Sequence, residues 1–340
     1  MNAWLPTAPC TPEACAGHEG RTASVPHAVL RLAGAAALVL LAVLTAAPVR
    51  LLPARPRHAL VRGWSAALVA SLGVRTTVHG SPGASGARLI VANHISWLDV
   101  PLVSAVLPCR MLAKSEIGAW PVLGRLAARA GTLFIERDRI RALPDTVATL
   151  TRALLAGDRV TVFPEGSTWC GRAQGPFRRA AFQSALDAGV PVQPIRLAYR
   201  LSGGGQPAGT LAGAPAFVGD DPLTASLWRI ARARGVRADV WLLPRIPPGR
   251  HEGRRDLAAA AQEAVRARAA RPVPAARPAH PAEPAQGARP QRTAPFLPGI
   301  PTQPTGSSAT DRDSAKRPSE SVHHRVNSSP AEASSLRTPS

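Results

Sequence analysis

The sequence predicts an α/β fold with a largely parallel sheet flanked by helices, preceded by an N-terminal membrane-associated helical segment. Two observations lead to this fold class. From residue 88 onward, short apolar runs alternate with longer runs of helical period, which is typical of parallel strands joined by helices. Before them, the eighteen residues from Leu32 to Val49 carry no charge and are rich in leucine, alanine and valine. In folds of this class, functional groups gather in loops at the carboxyl ends of strands.

The uncharged run comes first along the chain. At about 1.5 Å per residue it measures about 27 Å, just enough to cross a hydrocarbon core or to lie re-entrant in one leaflet. A signal peptide is the alternative, because Thr45-Ala46-Ala47 resembles a cleavage site, although the roughly thirty residues before the run make a long n-region. Four arginines follow the run within residues 50–62 and two precede it, which predicts a cytoplasmic location for the rest of the chain. A second apolar segment, residues 61–74, is expected either to lie in the membrane interface or to pack as a core helix.

The alternating pattern sets the remaining elements. Strands are expected near 88–92, 110–113, 132–136, 159–163, 192–198 and 238–243, and helices near 97–107, 121–130, 140–156, 177–188, 223–234 and 254–270. The chain then divides into a disordered N-terminus (1–27), membrane-associated helical segments (28–79), the α/β domain (80–270) and a disordered Pro-, Ser- and Arg-rich tail (271–340). The tail has thirteen prolines in seventy residues and too little apolar surface to offset its chain entropy.

Charge and composition limit the classes of partner and site that the chain can have. The chain has 41 basic and 21 acidic side chains, and its net charge of +20 favours an anionic partner such as nucleic acid, an acidic protein or anionic lipid. Aromatic residues make up 4% and no recognised binding motif is present, which argues against nucleic acid. The four cysteines are scattered, so the sequence predicts no metal site and no disulfide framework, and it suits a reducing compartment. The absence of a G-x-S-x-G elbow argues against a serine nucleophile.

The first candidate functional group follows the apolar run 88–92. That run ends in Asn93-His94, and a helical pattern begins at Ser96, so His94 lies on a strand-to-helix turn. Histidine is the side chain best suited to take and return a proton near neutral pH. If Asp99 lies in the first helical turn and points back, it can hold the ring through Nδ1–H and leave Nε2 free as a base. The competing interpretation is a capping box, with Ser96 at the N-cap and Asp99 bonding back to a free amide.

Three further stretches stand at strand ends. Residues 131–137 form a short strand that begins with Gly131 and ends with Arg137, which suits bidentate capture of a phosphate or carboxylate or is simply a solvated arginine. Residues 160–167 run from a buried strand into a Pro-Glu-Gly turn that either presents an acid to a ligand or is an ordinary turn. Residues 190–195 place two prolines around a short apolar strand, which predicts an edge or a sheet terminus.

In this order and spacing, the stretches resemble the motif blocks of the glycerolipid acyltransferase family, which includes bacterial 1-acyl-glycerol-3-phosphate acyltransferases. The matching blocks are NHxxxxD at 93–99, GxxFIxR at 131–137, FPEG at 163–166 and a VPVxP-like block at 190–194, with a KxE segment at 114–116. The resemblance covers roughly residues 60–245. One block would be a weak signal, but four in order behind an apolar segment are a strong one.

The resemblance implies an O-acyltransferase that moves a fatty acyl chain from an acyl thioester to the free hydroxyl of a lysolipid. It implies that His94 deprotonates this hydroxyl and that Asp99 supports the histidine. The residues expected to bind the substrate are Asn93, Lys114, Gly131, Phe134, Arg137, Glu165, Gly166 and Ser167. The expected donor is acyl-CoA or acyl-carrier protein, as a co-substrate, with no other cofactor and no metal.

One departure from the family pattern concerns the acceptor. The third block usually reads FPEGTR, but here Thr168 stands where the arginine is expected, so one fixed cation is missing unless a later arginine replaces it (Arg172, Arg178 or Arg179). The expected acceptor is 1-acyl-glycerol-3-phosphate, giving phosphatidic acid. The alternatives are another lysolipid, such as a lyso-ornithine lipid or a lysophospholipid, and a catalytically silent lipid-binding homologue. In each case the partners are membrane lipids, and the domain is expected on the cytoplasmic side of the cell membrane.

Overall fold

The computed structural model describes residues 7–83, 85–136, 140–202 and 209–270. The helices are α1 (Pro12–Cys15), α2 (Val25–Leu51), α3 (Ala54–Ser71), α4 (Asp99–Val106), α5 (Ser115–Gly118), α6 (Leu123–Arg129), α7 (Leu143–Leu155), α8 (Ala180–Asp187), α9 (Leu223–Arg232) and α10 (Arg254–Ala270). The strands are β1 (Arg75–His79), β2 (Arg88–Ala92), β3 (Arg110–Lys114), β4 (Leu133–Ile135), β5 (Arg159–Val162), β6 (Val192–Leu201) and β7 (Val236–Leu242). The predicted tail, residues 271–340, lies outside the described residues.

These strands form a seven-stranded sheet in the order β1-β7-β6-β2-β5-β3-β4. β6 and β7 pair antiparallel, and the other neighbouring pairs are parallel. The predicted fold class, a largely parallel sheet flanked by helices, is therefore confirmed. After β2 the chain returns as β3, which lies on the far side of β5. The strand order therefore changes between β2 and β5, and the carboxyl ends of these two strands lie side by side. This is the position at which α/β sheets bind ligands.

The central strand β2 is buried along its whole length. Ile90 and Ala92 belong to one core cluster, which packs against α3 and α4, whereas Leu89 and Val91 belong to a second, which packs against α7, α8 and α10. This division follows the two-residue period of a strand, and burial on both faces is what a parallel sheet covered by helices requires. The turn that follows β2 therefore rests on a rigid base.

Two strands differ from the predictions. β1 lies inside the region predicted as membrane-associated helices, but it pairs in parallel with β7 at the edge of the sheet. It gives little sequence signal because Val78 is its single aliphatic residue and most of its side chains are exposed or half-buried. The prediction that the proline-flanked strand is an edge is wrong, because β6 lies between β7 and β2. Pro194 is tolerated there because the ladder with β7 begins only at Ile195, so the missing N–H breaks no bond of that ladder.

The N-terminal residues 7–27, predicted to be disordered, are folded onto the domain. Cys10, Ala16 and Ala23 are buried, and the amide of Ala23 donates to the carbonyl of Arg232 at 2.7 Å. The low apolar content misled the prediction because small side chains, rather than a periodic apolar face, make these contacts.

The uncharged run lies within α2, a 27-residue helix that is long and apolar enough to cross a membrane. Only 6% of its most apolar window is buried, and leucines such as Leu40 and Leu44 are exposed. The second apolar segment lies in α3 and the residues that follow it, where Leu68, Val69 and Leu72 are buried. Of the two alternatives for that segment, the structure favours the packed core helix.

Candidate active site

The central feature of the site is the contact between His94 and Asp99. β2 ends at Ala92, His94 follows in the turn, and Asp99 is the first residue of α4. The carboxylate points back over the turn, so its Oδ2 lies 2.9 Å from His94 Nδ1. Because Nδ1 faces the carboxylate, Nε2 is the ring nitrogen available to a bound molecule.

The Asp99 carboxylate is completely buried and accepts four hydrogen bonds. Oδ2 accepts from His94 Nδ1 and from the amides of Ile95 at 2.6 Å and Ser96 at 2.9 Å, and Oδ1 accepts from the Tyr199 hydroxyl at 2.7 Å. The bond from the Ser96 amide is the one that the capping-box interpretation predicted for Asp99, but α4 begins at Asp99 with Leu98 as its N-cap, so Ser96 lies before the cap position. The position at the start of α4 suits a negative charge. One carboxylate therefore both bonds back to the Ser96 amide and holds the imidazole.

The imidazole ring has a second support on its face. Phe163, which follows β5, stacks on His94 with ring centroids 4.1 Å apart and an angle of 14° between the planes. The backbone of His94 is also held on both sides, because its amide donates to Glu165 Oε2 at 2.8 Å and its carbonyl accepts from the amide of Trp169 at 2.8 Å. The His94 side chain is 17% exposed, so it is fixed on several sides while one part of the ring stays accessible.

Glu165 lies behind the histidine. Its side chain is buried, and burial raises its pKa from 4.5 to about 8, although the bond from the His94 amide and the charge of Arg196 act to lower the pKa. At neutral pH the carboxyl group therefore holds a proton for most of the time. The predicted contact of Glu165 with the acceptor stays a prediction, but its position favours a role in holding the backbone of His94.

Asn93 is also buried, and its side chain continues the pairing of β2 with β6. Its amide nitrogen donates to the Leu197 carbonyl at 3.1 Å, and its amide oxygen accepts from the Leu197 N–H at 2.8 Å. The side chain thus replaces one residue of the β ladder at the point where β2 ends. This arrangement fixes the start of the turn that carries His94.

A cavity of about 2150 Å³ opens beside His94. Its walls include apolar side chains of α2 and α3, together with Trp97 and residues of α4. Five of the predicted residues line it, namely His94, Lys114, Gly131, Gly166 and Ser167. The hydroxyl of Ser167 is buried and has no hydrogen-bond partner in the part of the chain that the structure describes, so it can bond to a bound molecule.

The other predicted binding residues are placed elsewhere. Phe134 lies on β4, and its ring packs close to Gly118. Arg137 lies outside the described residues. The two predicted glycines in the cavity lining have positive φ angles, 81° for Gly131 and 75° for Gly166, which side chains rarely adopt. The backbone conformation therefore explains why both residues are glycine, whatever they contact when a substrate is bound.

Tyr199 is the functional residue that the sequence did not reveal. It lies on β6, a hundred positions from the aspartate that it contacts, and no motif block includes it. Burial, with the neighbouring Asp99 charge, raises the pKa of its hydroxyl, so the phenol stays protonated and donates its hydrogen bond. The available signal was weak: Tyr199 is the single tyrosine of the chain and follows the last motif block on the same strand.

The fold and the site together define a class of protein: an α/β acyltransferase in which a His-Asp pair at the carboxyl end of a central strand faces an apolar cavity. The comparisons agree with this class. A family model described as Acyltransferase matches residues 75–198, which run from β1 into β6. The chain also matches the crystal structure of the 1-acyl-sn-glycerophosphate acyltransferase from Thermotoga maritima with a TM-score of 0.53. That match covers 72% of this chain and 95% of the other at 19% identity, and it shows the shared fold.

Two relatives define more closely the acyltransferase family to which the chain belongs. A lyso-ornithine lipid O-acyltransferase from Pseudomonas aeruginosa is 40% identical over 212 residues, which are 62% of this chain and 78% of the relative. A 1-acyl-sn-glycerol-3-phosphate acyltransferase from Neisseria gonorrhoeae is 36% identical over 179 residues, which are 53% of this chain and 68% of the relative. The chain belongs to this family of lysolipid acyltransferases and is an acyltransferase. The apolar helix α2 and the membrane-lipid substrates that these relatives are named for together indicate association with a membrane.

Proposed function

We propose that the protein transfers an acyl chain from a thioester to the hydroxyl of a lysolipid, and that His94 is the general base of this reaction. The observation that carries the proposal is the 2.9 Å contact of Nδ1 with Asp99, which leaves Nε2 as the nitrogen available at the cavity. An alcohol is a poor nucleophile until a base removes its proton during attack. Nε2 takes this proton, the hydroxyl oxygen bonds to the acyl carbon, the carbon–sulfur bond breaks, and the proton passes on to the departing thiolate.

Asp99 has two tasks in this reaction. Its bond to Nδ1 fixes the tautomer that carries hydrogen on Nδ1, and its charge stabilises the ring when Nε2 becomes protonated. The other donors to the carboxylate are two backbone amides and one phenol, all of them neutral. Among the described residues, no fixed cation pairs with this carboxylate, so its negative charge is held in place without being cancelled.

The acceptor that the observations favour is a lyso-ornithine lipid. Thr168 lines the cavity where the family pattern has arginine, and none of the three possible replacements (Arg172, Arg178 and Arg179) lines it in the described structure. Arg172 instead donates to the Ala14 carbonyl at 3.2 Å. The cavity has both basic and acidic side chains, Lys114 and Glu116 among them, which suits a headgroup with an amine and a carboxylate. The higher identity over a longer stretch to the lyso-ornithine lipid O-acyltransferase points the same way.

The second candidate acceptor is 1-acyl-glycerol-3-phosphate. The motif blocks and the Neisseria gonorrhoeae relative favour it. A phosphate monoester carries a charge near −2 at neutral pH and is usually held by more than one cation. Five arginines do line the cavity (Arg50, Arg57, Arg110, Arg129 and Arg159), but the arginine that the family pattern has at position 168 is absent, and this places the phosphate acceptor below the first candidate.

The domain is proposed to work on the cytoplasmic side of the membrane, because arginines are more numerous after the apolar run than before it. α2 then lies at the bilayer, and α2 and α3 both contribute to the cavity that His94 faces. A lysolipid can enter from the leaflet with its acyl chain among these helices and its hydroxyl near the ring. The proposed donor is acyl-CoA or acyl-carrier protein, and the net charge of +20 suits the anionic character of either one.

The test uses the full chain purified in detergent, with acyl-CoA as donor and lyso-ornithine lipid or 1-acyl-glycerol-3-phosphate as acceptor, and mass spectrometry of the diacyl product. His94→Ala is expected to lower the rate by at least about 100-fold, the lower end of what a general base contributes. The matched control is His79→Ala, because His79 Nε2 also lies 2.9 Å from a carboxylate, that of Asp239, but does not line the cavity. Equal activity of the two variants would overturn the assignment of the base. An unaltered chain without activity on any lysolipid would instead support a silent binding homologue.

The same assay decides between the acceptors. The unaltered chain is expected to use lyso-ornithine lipid better than 1-acyl-glycerol-3-phosphate, and Thr168→Arg is expected to shift the ratio toward the phosphate by about 10-fold, the worth of one charge-assisted hydrogen bond. Thr168→Gln, long and polar but uncharged, is the control for size. A preference for the phosphate in the unaltered chain would reverse the order of the two candidates.

A further inference from the structure

Three of the four cysteines meet where the N-terminal segment packs on the domain. Cys10 and Cys15 stand on either side of the first turn of α1, and Cys170 lies in the loop that follows the Pro-Glu-Gly turn. Their sulfur atoms all lie within 4.8 Å of one another, and all three are free thiols. The sequence prediction of no metal site was based on their wide separation along the chain, which folding removes.

The geometry of this thiol cluster suits a metal ion better than a disulfide. Zinc binds thiolate sulfur at about 2.3 Å, so tetrahedral ligands lie roughly 3.8 Å apart, and the sulfurs need to approach by about 1 Å at most. A disulfide requires a distance near 2.05 Å and uses two of the three sulfurs, leaving one over. The four intervening residues between Cys10 and Cys15 also match the ligand spacing of structural zinc sites.

The surroundings hold the three sulfurs in place. Cys10 and Cys170 are buried, and the Thr11 side chain caps α1 by accepting from the Ala14 amide.

Glycine also permits the close approach of the segment to the domain. A Cβ at Gly213 would lie 2.2 Å from the Gly17 carbonyl oxygen and 2.8 Å from that of Cys15. The segment is therefore fitted to this surface rather than lying loosely on it.

We propose that Cys10, Cys15 and Cys170 bind one zinc ion, which fastens the N-terminal segment to the loop behind the catalytic histidine. Binding replaces three S–H protons, which leave to solvent, by three Zn–S bonds, and a water completes the tetrahedron. The site is independent of the acceptor, of the donor and of the proposed chemistry of His94.

The connection to the active site is short. Trp169, next to Cys170, donates its amide hydrogen to the His94 carbonyl, and Gly171 lies against the Ile95 side chain. An ion that fixes Cys170 therefore also fixes the loop on which the backbone of His94 rests. The role of the ion is to position the site, since none of these three cysteines lines the cavity.

The experiment measures metal binding on the untagged full chain in detergent, kept reduced throughout. Zn²⁺ content is measured by elemental mass spectrometry on the chain as isolated, and the chain is then freed of metal and titrated with Co²⁺, a probe that reports through its thiolate charge-transfer absorption. About one ion per chain is expected, and each of Cys10→Ser, Cys15→Ser and Cys170→Ser is expected to weaken binding by more than about 10-fold, since even outer-shell changes have that effect. Cys109→Ser is the matched control, because this fourth cysteine lies outside the cluster.

A second variant tests the role of packing with all ligands retained. Gly213→Ala is expected to push the segment away and weaken Co²⁺ binding, and circular dichroism with thermal unfolding shows whether the domain itself stays folded. Absence of bound metal in the unaltered chain, or equal loss in Cys109→Ser, would overturn the proposal. A disulfide between two of the three cysteines in protein isolated with its thiols alkylated at lysis would overturn it as well.

Discussion

Replacing Asp99 by asparagine separates the charge of this side chain from its shape. The amide oxygen can occupy the place of Oδ2 and accept from His94 Nδ1 and from the amides of Ile95 and Ser96. The amide nitrogen then faces the Tyr199 hydroxyl, which can accept instead of donating. Asp99→Asn therefore keeps four hydrogen bonds and the tautomer of the ring, and it removes the negative charge.

The expected loss of rate follows from the difference in energy between a charged and a neutral hydrogen bond. A hydrogen bond to a charged group is worth about 1.5–3 kcal/mol, against about 1 kcal/mol for a neutral one. The carboxylate stabilises the protonated ring that forms during the reaction, so the expected loss in kcat is roughly 2- to 30-fold, from the difference of about 0.5–2 kcal/mol. Asp99→Ala removes all four bonds and leaves buried donors unpaired, so it should unfold the domain more easily by several kcal/mol, on the order of 1–3 kcal/mol for each abandoned buried donor.

The assay is the single-turnover rate of acyl transfer with saturating acceptor, together with the midpoint of guanidinium unfolding for each variant. Asp99→Asn is expected to lose rate with a small change in midpoint, and Asp99→Ala to lose both. The reasoning would be refuted if Asp99→Asn kept the full rate, because the charge would then have no part in the reaction. It would also be refuted if Asp99→Asn and Asp99→Ala were equally unstable, because the proposed exchange with Tyr199 would then not occur.

Three further changes probe the supports of the site. Tyr199→Phe leaves one buried oxygen of Asp99 without its donor and should cost about 1–3 kcal/mol in unfolding free energy, measured by guanidinium titration; no change would show that this bond contributes nothing. Because the folded pKa of Glu165 is raised from 4.5 to about 8, the folded chain holds this proton at pH values where the unfolded chain has released it. Its contribution is therefore fully present below about pH 4.5 and declines up to about pH 8, and Glu165→Gln should flatten this part of the stability–pH curve; an unchanged slope would contradict the raised pKa. Asn93→Ala should lower the unfolding free energy by about 2–6 kcal/mol, because it leaves a buried N–H and a buried C=O of β6 unpaired, whereas a change in KM alone would favour a direct contact with substrate.

The local sequence pattern was sufficient to predict the strands and helices that carry a strong apolar signal. The bounds of β2 and α10 agree with the prediction, and so does the position of His94 in the turn between β2 and α4. These elements were predictable because their period follows directly from which side chains are buried. β1 was missed because an exposed edge strand needs few apolar residues, and the folded N-terminus because small side chains pack without a period.

The supports of the site could not be read from the sequence for a different reason. Tyr199 reaches Asp99 only because β6 lies beside β2, and the strand order depends on the whole sheet rather than on any segment. Glu165 was recognised as part of a motif, but the motif did not show that its carboxyl group faces the backbone of His94. The thiol cluster combines both difficulties, since Cys10 and Cys170 come from opposite parts of the chain and meet by packing alone.

The second His-Asp pair of the molecule shows why distance alone does not make a base. His79 and Asp239 are as close as His94 and Asp99, at 2.9 Å, but Asp239 also has two guanidinium groups beside it, those of Arg200 at 3.5 Å and Arg237 at 3.3 Å.

Two cations already balance the carboxylate of Asp239, so its negative charge is not reserved for His79. Its ring also stacks on Trp241 at the edge of the sheet and does not line the cavity. Asp99 has neutral donors, a place at the start of a helix and a ring that faces the cavity, so its charge remains available to a proton on His94. What distinguishes the two pairs is the set of groups around the carboxylate, and this set supports the role proposed for His94.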